Sequence, residues 1–200
     1  MGKLVVSEFV SLDGVIEDPG GFERTPMGGW TSGFPTPDGT QRKFQELMDA
    51  DVLLLGRTTY DGFAAAWPSM EEVTGDYGKK MNSMPKYVVS STLRDPSWKN
   101  TTVLAGDIAT EVAKLKAQYS GDILVFASGT LVEALRDHDL VDEYRLMVHP
   151  IIVGQGKRLF SSSTTVNRLE LVESVNVGPD VLLLTYRPAP KPAGDAADAG

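Results

Sequence analysis

Two strand-like segments of the sequence end in small polar residues that open helices, and either could bind a phosphate group. The first is Leu53–Thr59, with its turn at Gly56, and the second is Val125–Leu131, with its turn at Gly129. Unpaired amide groups at a helix N-terminus attract anionic oxygens, and a glycine lets a ligand approach the backbone. In open α/β sheets such sites lie at the carboxyl ends of the strands. The alternative for each motif alone is that its glycine only permits a tight turn.

A third strand-like segment ends in hydroxyl groups. Ser90 and Ser91 follow a β-rich run, and Arg57 would lie near them if the two strands are neighbours. A guanidinium suits the 2′-phosphate that distinguishes NADPH from NADH, because arginine makes bidentate, charge-assisted bonds to phosphate. These residues therefore predict NADPH as cofactor. The alternatives are ordinary turn formation for the serines and a solvated surface charge for Arg57.

Several other side chains are candidates for the substrate side of such a site. Asp13, beside a glycine at the end of the first strand, could donate a proton if its pKa were raised, or could anchor substrate, or could form an Asp-Gly turn. Trp30, Tyr60 and Trp67 could stack on a flat heterocycle, although aromatic residues also serve in cores and interfaces. His149 either shapes the substrate pocket or has a structural role.

Strand and helix patterns alternate over the first two thirds of the chain, which is typical of a largely parallel sheet. Strands are predicted at 3–10, 51–55, 86–90, 101–104 and 123–126, and helices at 40–50, at 58–66, after an Asp107 cap, and after residue 130. Residues 11–37 are predicted to form a long loop that acts as a mobile flap, and residues 67–84 to form a polar stretch. Later strands at 143–148, 169–177 and 181–187 predict an antiparallel hairpin turning at Gly178–Asp180.

These elements predict an α/β fold with a central mixed, mostly parallel sheet flanked by helices and ending in an antiparallel C-terminal hairpin. Residues 1–187 are expected to form one domain. Residues 188–200 contain Pro, Ala, Gly and Asp with little to bury, so they are expected to be a disordered tail.

Composition narrows the possible functions. The 200 residues include 42% hydrophobic residues, enough for one core, and 19 basic against 27 acidic residues give a net charge of −8. No dense Lys/Arg cluster is available for a nucleic-acid backbone. Neither a signal peptide nor a bilayer-length apolar run is evident. With no cysteine and two histidines, we expect a cytoplasmic protein without a bound metal.

The ordered set of motifs resembles a known family. Gly56–Tyr60, Val89–Ser91 and Ser128–Leu131 look like the three cofactor-binding segments of the dihydrofolate reductase superfamily. Together with Ser11–Ile16 and Pro150–Phe160, they resemble its RibD C-terminal branch, which includes the bacterial riboflavin-pathway reductase. The resemblance covers about residues 3–187, so it extends over the whole predicted domain.

The resemblance implies a dihydrofolate-reductase-like fold and hydride transfer from NADPH to a small polar heterocycle, pterin-like or aminopyrimidine-like, in a homodimer. It places Val15 and Ile16 near the nicotinamide, and it assigns the remaining cofactor contacts to Gly56, Arg57, Thr58, Thr59, Ser90, Ser91, Ser128, Gly129, Thr130 and Leu131. The protein would supply distance, orientation and exclusion of water, and the cofactor the reactivity.

Two departures from the family pattern bear on the substrate. The carboxylate that holds the pterin in dihydrofolate reductases is replaced by Thr40, with Asp38 two residues earlier as a substitute or a helix cap. The Gly-Ala-Gly-Thr turn of riboflavin reductases is replaced by Gly56–Thr59. Two alternatives therefore stay open: a nucleotide-binding module of the same fold without turnover, and a specialised imine or enone reductase of a biosynthetic pathway.

Overall fold

Eight strands form one sheet in the part of the chain that the structure, a computed structural model, describes, namely residues 1–161 and 166–190. In chain order they are β1 (Lys3–Ser11), β2 (Ala50–Gly56), β3 (Lys86–Val89), β4 (Thr101–Leu104), β5 (Asp122–Phe126), β6 (Glu143–His149), β7 (Leu169–Asn176) and β8 (Leu182–Pro188). Their order across the sheet is β4-β3-β2-β5-β1-β6-β8-β7. The first six run parallel, whereas β8 is antiparallel to both β6 and β7. The predicted α/β class and mostly parallel sheet with an antiparallel hairpin are confirmed.

The central strands are buried on both faces, which explains their unbroken apolar sequences. In β2, Leu54 packs into one hydrophobic cluster, while Leu53 and Leu55 pack into another on the opposite side of the sheet. In β1, Leu4 and Val5 divide between the same two clusters. Successive side chains of a strand point to opposite faces, so an uninterrupted run of leucine and valine fills two cores at once.

Five helices cover the sheet in the described residues: α1 (Pro37–Asp49), α2 (Arg57–Thr74), α3 (Asp76–Ser83), α4 (Ile108–Gln118) and α5 (Gly129–Asp137). The Asp107 cap of α4 is confirmed, since its carboxylate accepts a hydrogen bond from the Thr110 amide at 2.9 Å. The helix predicted at 58–66 is longer in the structure, because α2 continues through Pro68 to Thr74 and α3 follows within the predicted polar stretch. Gly78 lets α3 pack closely against α2, because a Cβ on Gly78 would lie only 2.8 Å from the Cα of Glu71.

The predicted loop after β1 is tied down at two points. The Trp30 indole is buried and donates a hydrogen bond to the Glu17 carbonyl at 2.9 Å. The Asp18 carboxylate accepts hydrogen bonds from the amides of Glu23 and Thr25, each at 2.9 Å. These contacts hold the loop across the carboxyl end of β1, beside the site described below.

The C-terminal hairpin extends one residue further than predicted, because Pro188 pairs with Leu169 of β7. A disordered tail is predicted over residues 188–200. Residues 191–200 of it lie outside the described residues. Across residues 1–161 and 166–190, no helix has both the length and the apolar character needed to cross a membrane.

Candidate active site

The hydroxyl of Ser128 joins the two glycine corners predicted from the sequence. Its oxygen accepts a hydrogen bond from the Gly56 amide at 3.0 Å and donates to the Thr59 hydroxyl at 2.8 Å. A Cβ on Gly56 would lie 3.4 Å from the Ser128 side chain, so the corners approach closely. The turn after β2 and the turn after β5 therefore form one continuous surface at the carboxyl ends of neighbouring strands. In this arrangement Thr59 holds the corner together through its side chain.

The corner after β5 is shaped to open a helix. Ala127 and Ser128 have φ angles of 50° and 66°, in the left-handed region, and they turn the chain sharply from β5 into α5. The Val132 amide is the first in α5 to donate to a carbonyl of this turn, that of Ser128, at 2.9 Å. The amides of Gly129, Thr130 and Leu131 precede it and have no intrahelical partner, as at any helix start. The Leu131 side chain is buried in the core, so this residue can reach a ligand only through its backbone.

Arg57 and the serines after β3 lie at neighbouring strand ends, as predicted. Gly56 of β2 pairs with Val89 of the parallel neighbour β3. Arg57 and Ser90 are the next residues along the two strands, so they follow adjacent strand ends. Arg57 is exposed, and its Nε donates to both carboxylate oxygens of Asp61 at 2.8 and 2.9 Å. The terminal guanidinium nitrogens take no part in that pair. Thr58 and Ser91 are also exposed, so they share the surface around Arg57.

The side-chain role predicted for Ser90 needs correction. Its hydroxyl accepts hydrogen bonds from the amides of Thr92 at 3.2 Å and Leu93 at 3.0 Å, and the residue is only 9% exposed. Ser90 therefore makes the turn after β3, which was the alternative considered from sequence. Ser91 is the residue of this pair that faces solvent.

The Asp13 carboxylate accepts four hydrogen bonds, and its pKa is lowered, which opposes the predicted role of proton donor. Its Oδ1 accepts hydrogen bonds from the Ser11 hydroxyl at 2.7 Å and the Val153 amide at 3.0 Å. Its Oδ2 accepts from the Gly154 amide at 2.9 Å and from Arg158 at 3.2 Å. The hydrogen bond from Ser11, followed by the one from Val153, holds the pKa of Asp13 well below its ordinary value. The ionised carboxylate ties the turn after β1 to residues 153–158.

Val15 and Ile16 differ in what they can contact. The Val15 side chain is fully buried against Trp30 and Val153, and its amide donates to the Ser11 hydroxyl at 2.8 Å. Val15 can therefore approach the predicted nicotinamide only through its backbone. Ile16 lies against the start of α5: a Cβ on Gly129 would be 3.1 Å from Ile16 Cδ1. Of the pair, Ile16 borders the corner that holds the unpaired amides.

A cavity of about 500 Å³ opens between the sheet and α1. Its lining combines aromatic, hydroxyl and apolar side chains with one lysine: Phe9, Thr31, Phe34, Thr36, Gly39, Thr40, Lys43, Phe44, Thr74, Tyr77, Met147 and His149. Thr40 thus lies in the cavity, whereas Asp38 is not among the lining residues. The three aromatic residues predicted to stack on a ligand do not line it. Instead, Trp30 packs on His149, Tyr60 binds the Trp98 amide, and Trp67 packs on Tyr77.

His149 is enclosed by aromatic rings at one end of this cavity. The ring centroids of Phe9, Trp30 and Phe34 lie 5.4 to 5.9 Å from that of His149. Burial lowers the pKa of His149 below its ordinary value, so the imidazole is neutral at pH 7. The residue lines the cavity, in agreement with the predicted pocket-shaping role, and it adds no charge to it.

Lys43 was missed by the sequence reasoning. Its ammonium group donates to the Ser7 hydroxyl, lies 3.3 Å from Glu46 Oε2, and sits 5.4 Å and 5.7 Å from the ring centroids of Phe9 and Phe126. Only 12% of the side chain is exposed. Phe126 ends β5 immediately before the Ser128 corner, so Lys43 lies between the cavity and the end of that strand. Its one signal in the sequence is its place directly before Phe44 in an amphipathic helix.

Glu8 is a second residue missed from sequence. It lies on β1, which is flanked in the sheet by β5 and β6. The residue is 4% exposed, and its Oε1 has no hydrogen-bond partner among the described residues. Burial raises the pKa of Glu8 to about 8, against the opposing effects of Lys43 and of a hydrogen bond from the Ala127 backbone. This shift favours the neutral carboxylic acid, next to the corner that precedes α5.

Comparison with known proteins agrees with this architecture. Residues 2–183 match the model of the RibD C-terminal domain, and the chain belongs to that family. Among curated proteins, it is 29% identical over 187 residues to the uncharacterized protein YyaP of Bacillus subtilis (strain 168), covering 92% of this chain and 94% of YyaP. These matches extend over nearly the whole chain.

Two solved structures share the fold of this chain. A "putative riboflavin biosynthesis protein" from Shewanella sp. PV-4 superposes with a TM-score of 0.73 and 23% identity, covering 94% of this chain and 99% of that one. Dihydrofolate reductase from Enterococcus faecalis, complexed with NADP(H) and RAB-propyl, gives a TM-score of 0.61 and 14% identity over 94% of this chain and 98% of that one. The fold is therefore dihydrofolate-reductase-like, as the motif resemblance implied.

Proposed function

We propose that the protein is an NADPH-dependent reductase that transfers a hydride to a small polar heterocycle of the pterin or aminopyrimidine kind. The observation on which this depends is the Ser128 hydrogen bond to Gly56, since it joins two helix N-termini into one anion-binding surface. Membership of the RibD C-terminal domain family supports the same class of reaction.

The residues at the corners fit a dinucleotide phosphate. The backbone amides at the start of α2, at Thr58, and at the start of α5, at Gly129 and Thr130, would hold the pyrophosphate. Arg57, with Ser91 at the neighbouring strand end, would hold the 2′-phosphate. Ile16 would border the nicotinamide. When bound, the cofactor supplies the hydride, and the chain supplies its orientation and excludes water.

The cavity lined by Phe9 and Lys43 is proposed as the substrate site. The ammonium group of Lys43, which lines this cavity, lies 5.7 Å from the ring of Phe126, and Phe126 ends the strand leading to Ser128. A substrate in the cavity would therefore lie beside a cofactor on the corners. Aromatic rings on the cavity wall suit a flat ligand.

The proposal extends to a homodimer and to a cytoplasmic location, where NADPH is available. Leu169 and Leu171, two residues apart on the edge strand β7, are 36% and 56% exposed and form a small apolar patch on one face of that strand. Such patches on an edge strand commonly mark interfaces. Because Gly56–Thr59 departs from the riboflavin reductase turn, the proposal names a reductase and not the riboflavin pathway.

Binding and turnover test the proposal separately. Isothermal titration with NADPH and NADH should give saturable binding with a clear preference for NADPH. Oxidation of NADPH, followed by its absorbance in the presence of folates, pterins, aminopyrimidines and quinones, should then identify a substrate class. Saturable binding without oxidation of NADPH by any of these would favour the binding-module alternative. Absence of binding to either cofactor would refute the proposal.

A further inference from the structure

The connection between β3 and β4, residues 90–100, forms neither helix nor strand, and it carries Ser91. Among the described residues, the backbone of 91–99 makes one hydrogen bond to a helix or strand outside this connection. That bond runs from the Trp98 amide to the hydroxyl of Tyr60 on α2, at 3.1 Å. The position of the connection relative to α2 therefore depends strongly on one phenol group.

Trp98 is a fixed point within the connection. It is 3% exposed, and its indole Nε1 donates to the Asn82 side chain at 2.9 Å. The buried Lys86 ammonium lies 4.4 Å from the centroid of the indole, and the ring of Phe63 on α2 lies 6.5 Å from it. These contacts hold the indole, while the Tyr60 hydroxyl holds the backbone of the same residue.

Tyr60 stands at the other end of this link, in the first turn of α2. The helix begins at Arg57, so the two residues are three positions apart and share that turn. A hydroxyl and a guanidinium can bind one phosphate only if both come within about 3 Å of its oxygens. A shift of Trp98 relative to Tyr60 moves the connection, and with it Ser91, relative to Arg57.

We propose that Tyr60 is a positioning residue of the cofactor site, which sets the preference for NADPH over NADH by holding the Ser91 connection against Arg57. The inference rests on the proposed function, because it needs a 2′-phosphate bound between these two residues. Tyr60 is 2% exposed, so it acts through Trp98 and not by contact with the cofactor. It fixes the spacing of two phosphate-binding groups before the cofactor arrives, so binding loses less conformational freedom.

Tyr60→Phe removes the hydroxyl and keeps the ring that packs in the core. Isothermal titration of the full chain with NADPH and with NADH gives the ratio of the two affinities. This ratio should fall by about fivefold in Tyr60→Phe, mostly through weaker NADPH binding, as expected for the loss of one hydrogen bond. A general loss of stability would leave the ratio unchanged, because both cofactors bind the same folded protein.

Tyr119→Phe is the matched control for this substitution. Tyr119 lies between the end of α4 and the start of β5, at the opposite end of the strands from the glycine corners. Its hydroxyl is 3.1 Å from that of Tyr87, so the control also loses one hydrogen bond of a phenol. The ratio of the two affinities in this variant should equal that of the unmodified protein.

A double variant tests whether Tyr60 acts through Ser91. Ser91→Ala alone should lower the ratio, because it removes the hydroxyl that the connection presents. Adding Tyr60→Phe to Ser91→Ala should then lower the ratio by less than about twofold, since residues that act through one contact are not additive. An undiminished fivefold effect in the Ser91→Ala background would contradict the route through Ser91.

Hydrogen exchange in the unmodified protein measures the same link without a substitution. A ligand that needs the bond between Trp98 and Tyr60 must also stabilise it, because coupling between two sites is reciprocal. At saturating concentrations, NADPH should slow exchange of the Trp98 amide by at least about threefold more than NADH does. This measurement decides if Tyr60→Phe fails to fold by circular dichroism.

The results separate this inference from the proposed function. An unchanged ratio in Tyr60→Phe, or equal protection of the Trp98 amide by both cofactors, would overturn the role of Tyr60 and leave NADPH binding intact. Absence of an NADPH preference in the unmodified protein would refute the 2′-phosphate assignment itself, and this inference with it.

Discussion

Ser128 and Gly56, 72 residues apart in the chain, are joined by a hydrogen bond from the Gly56 amide to the Ser128 hydroxyl at 3.0 Å. Ser128→Ala removes this bond and the one to Thr59, so we expect the free energy of unfolding to fall by about 1 kcal/mol. If the corners together hold a pyrophosphate, NADPH affinity should fall by about three- to tenfold. Urea denaturation and isothermal titration measure the two effects.

Ser69→Ala is the matched control for that experiment. Ser69 is exposed on α2, and its hydroxyl donates only to the local carbonyl of Ala66 at 2.9 Å. Its replacement should leave NADPH affinity unchanged. Equal NADPH affinity in Ser128→Ala and the unmodified protein would show that the junction of the corners plays no part in cofactor binding.

Arg57 supplies a second prediction through its ion pair with Asp61. Arg57→Ala should weaken NADPH binding by ~1–3 kcal/mol and leave NADH binding nearly unchanged, because only NADPH has the 2′-phosphate. Asp61→Ala releases the guanidinium from the carboxylate 2.8 Å away and should preserve or strengthen NADPH binding. An equal loss for both cofactors in Arg57→Ala would count against the 2′-phosphate assignment.

Glu8 predicts a pH dependence of stability. Its pKa is near 4.5 in the unfolded chain and is raised by burial to about 8 in the folded one, so the folded state binds more protons between these values. The contribution of Glu8 to stability is fully present below pH 4.5 and is lost as pH rises through 8. Glu8→Gln cannot ionise, so the unfolding free energy of this variant should fall less over that interval. The difference should be on the order of a few kcal/mol at pH 9.

Denaturant titrations at several pH values from 5 to 9 measure this effect. Glu72→Gln serves as control, since Glu72 is exposed on α2 and should show the pH dependence of the unmodified protein. Parallel pH curves for Glu8→Gln and the unmodified protein would mean that Glu8 is ionised in the folded state.

The sequence was sufficient to predict features that depend on local pattern. The apolar runs identified the central strands, and Leu53–Leu55 are indeed fully buried. Polar residues after β2 and β5 indicated helix starts, and both helices begin there. Sheet neighbours were harder to predict, because β5 lies between β1 and β2 although it follows them in the chain by many residues.

The missed site residues depend on long-range contacts. Lys43 reads as an ordinary surface lysine of an amphipathic helix until α1 is packed on the sheet, where it meets Ser7 and the ring of Phe126. Glu8 reads as the polar residue of an edge strand, but β1 is central and buries it. Asp13 was misjudged for a related reason, since its partners Val153 and Arg158 are distant in sequence.

The exposed face of β7 predicts a self-association surface. Leu171 is 56% exposed on β7, the edge strand of the sheet, where it pairs with Tyr186 of β8. If the protein is the proposed homodimer and this face is its interface, a lysine at position 171 would place a charge among buried apolar side chains, and Leu171→Lys should be monomeric in light scattering at micromolar concentration. Val73→Lys alters an apolar residue that is 84% exposed on α2 and should leave the dimer intact. A monomeric unmodified protein, or a Leu171→Lys variant that still dimerises, would exclude this face as the interface.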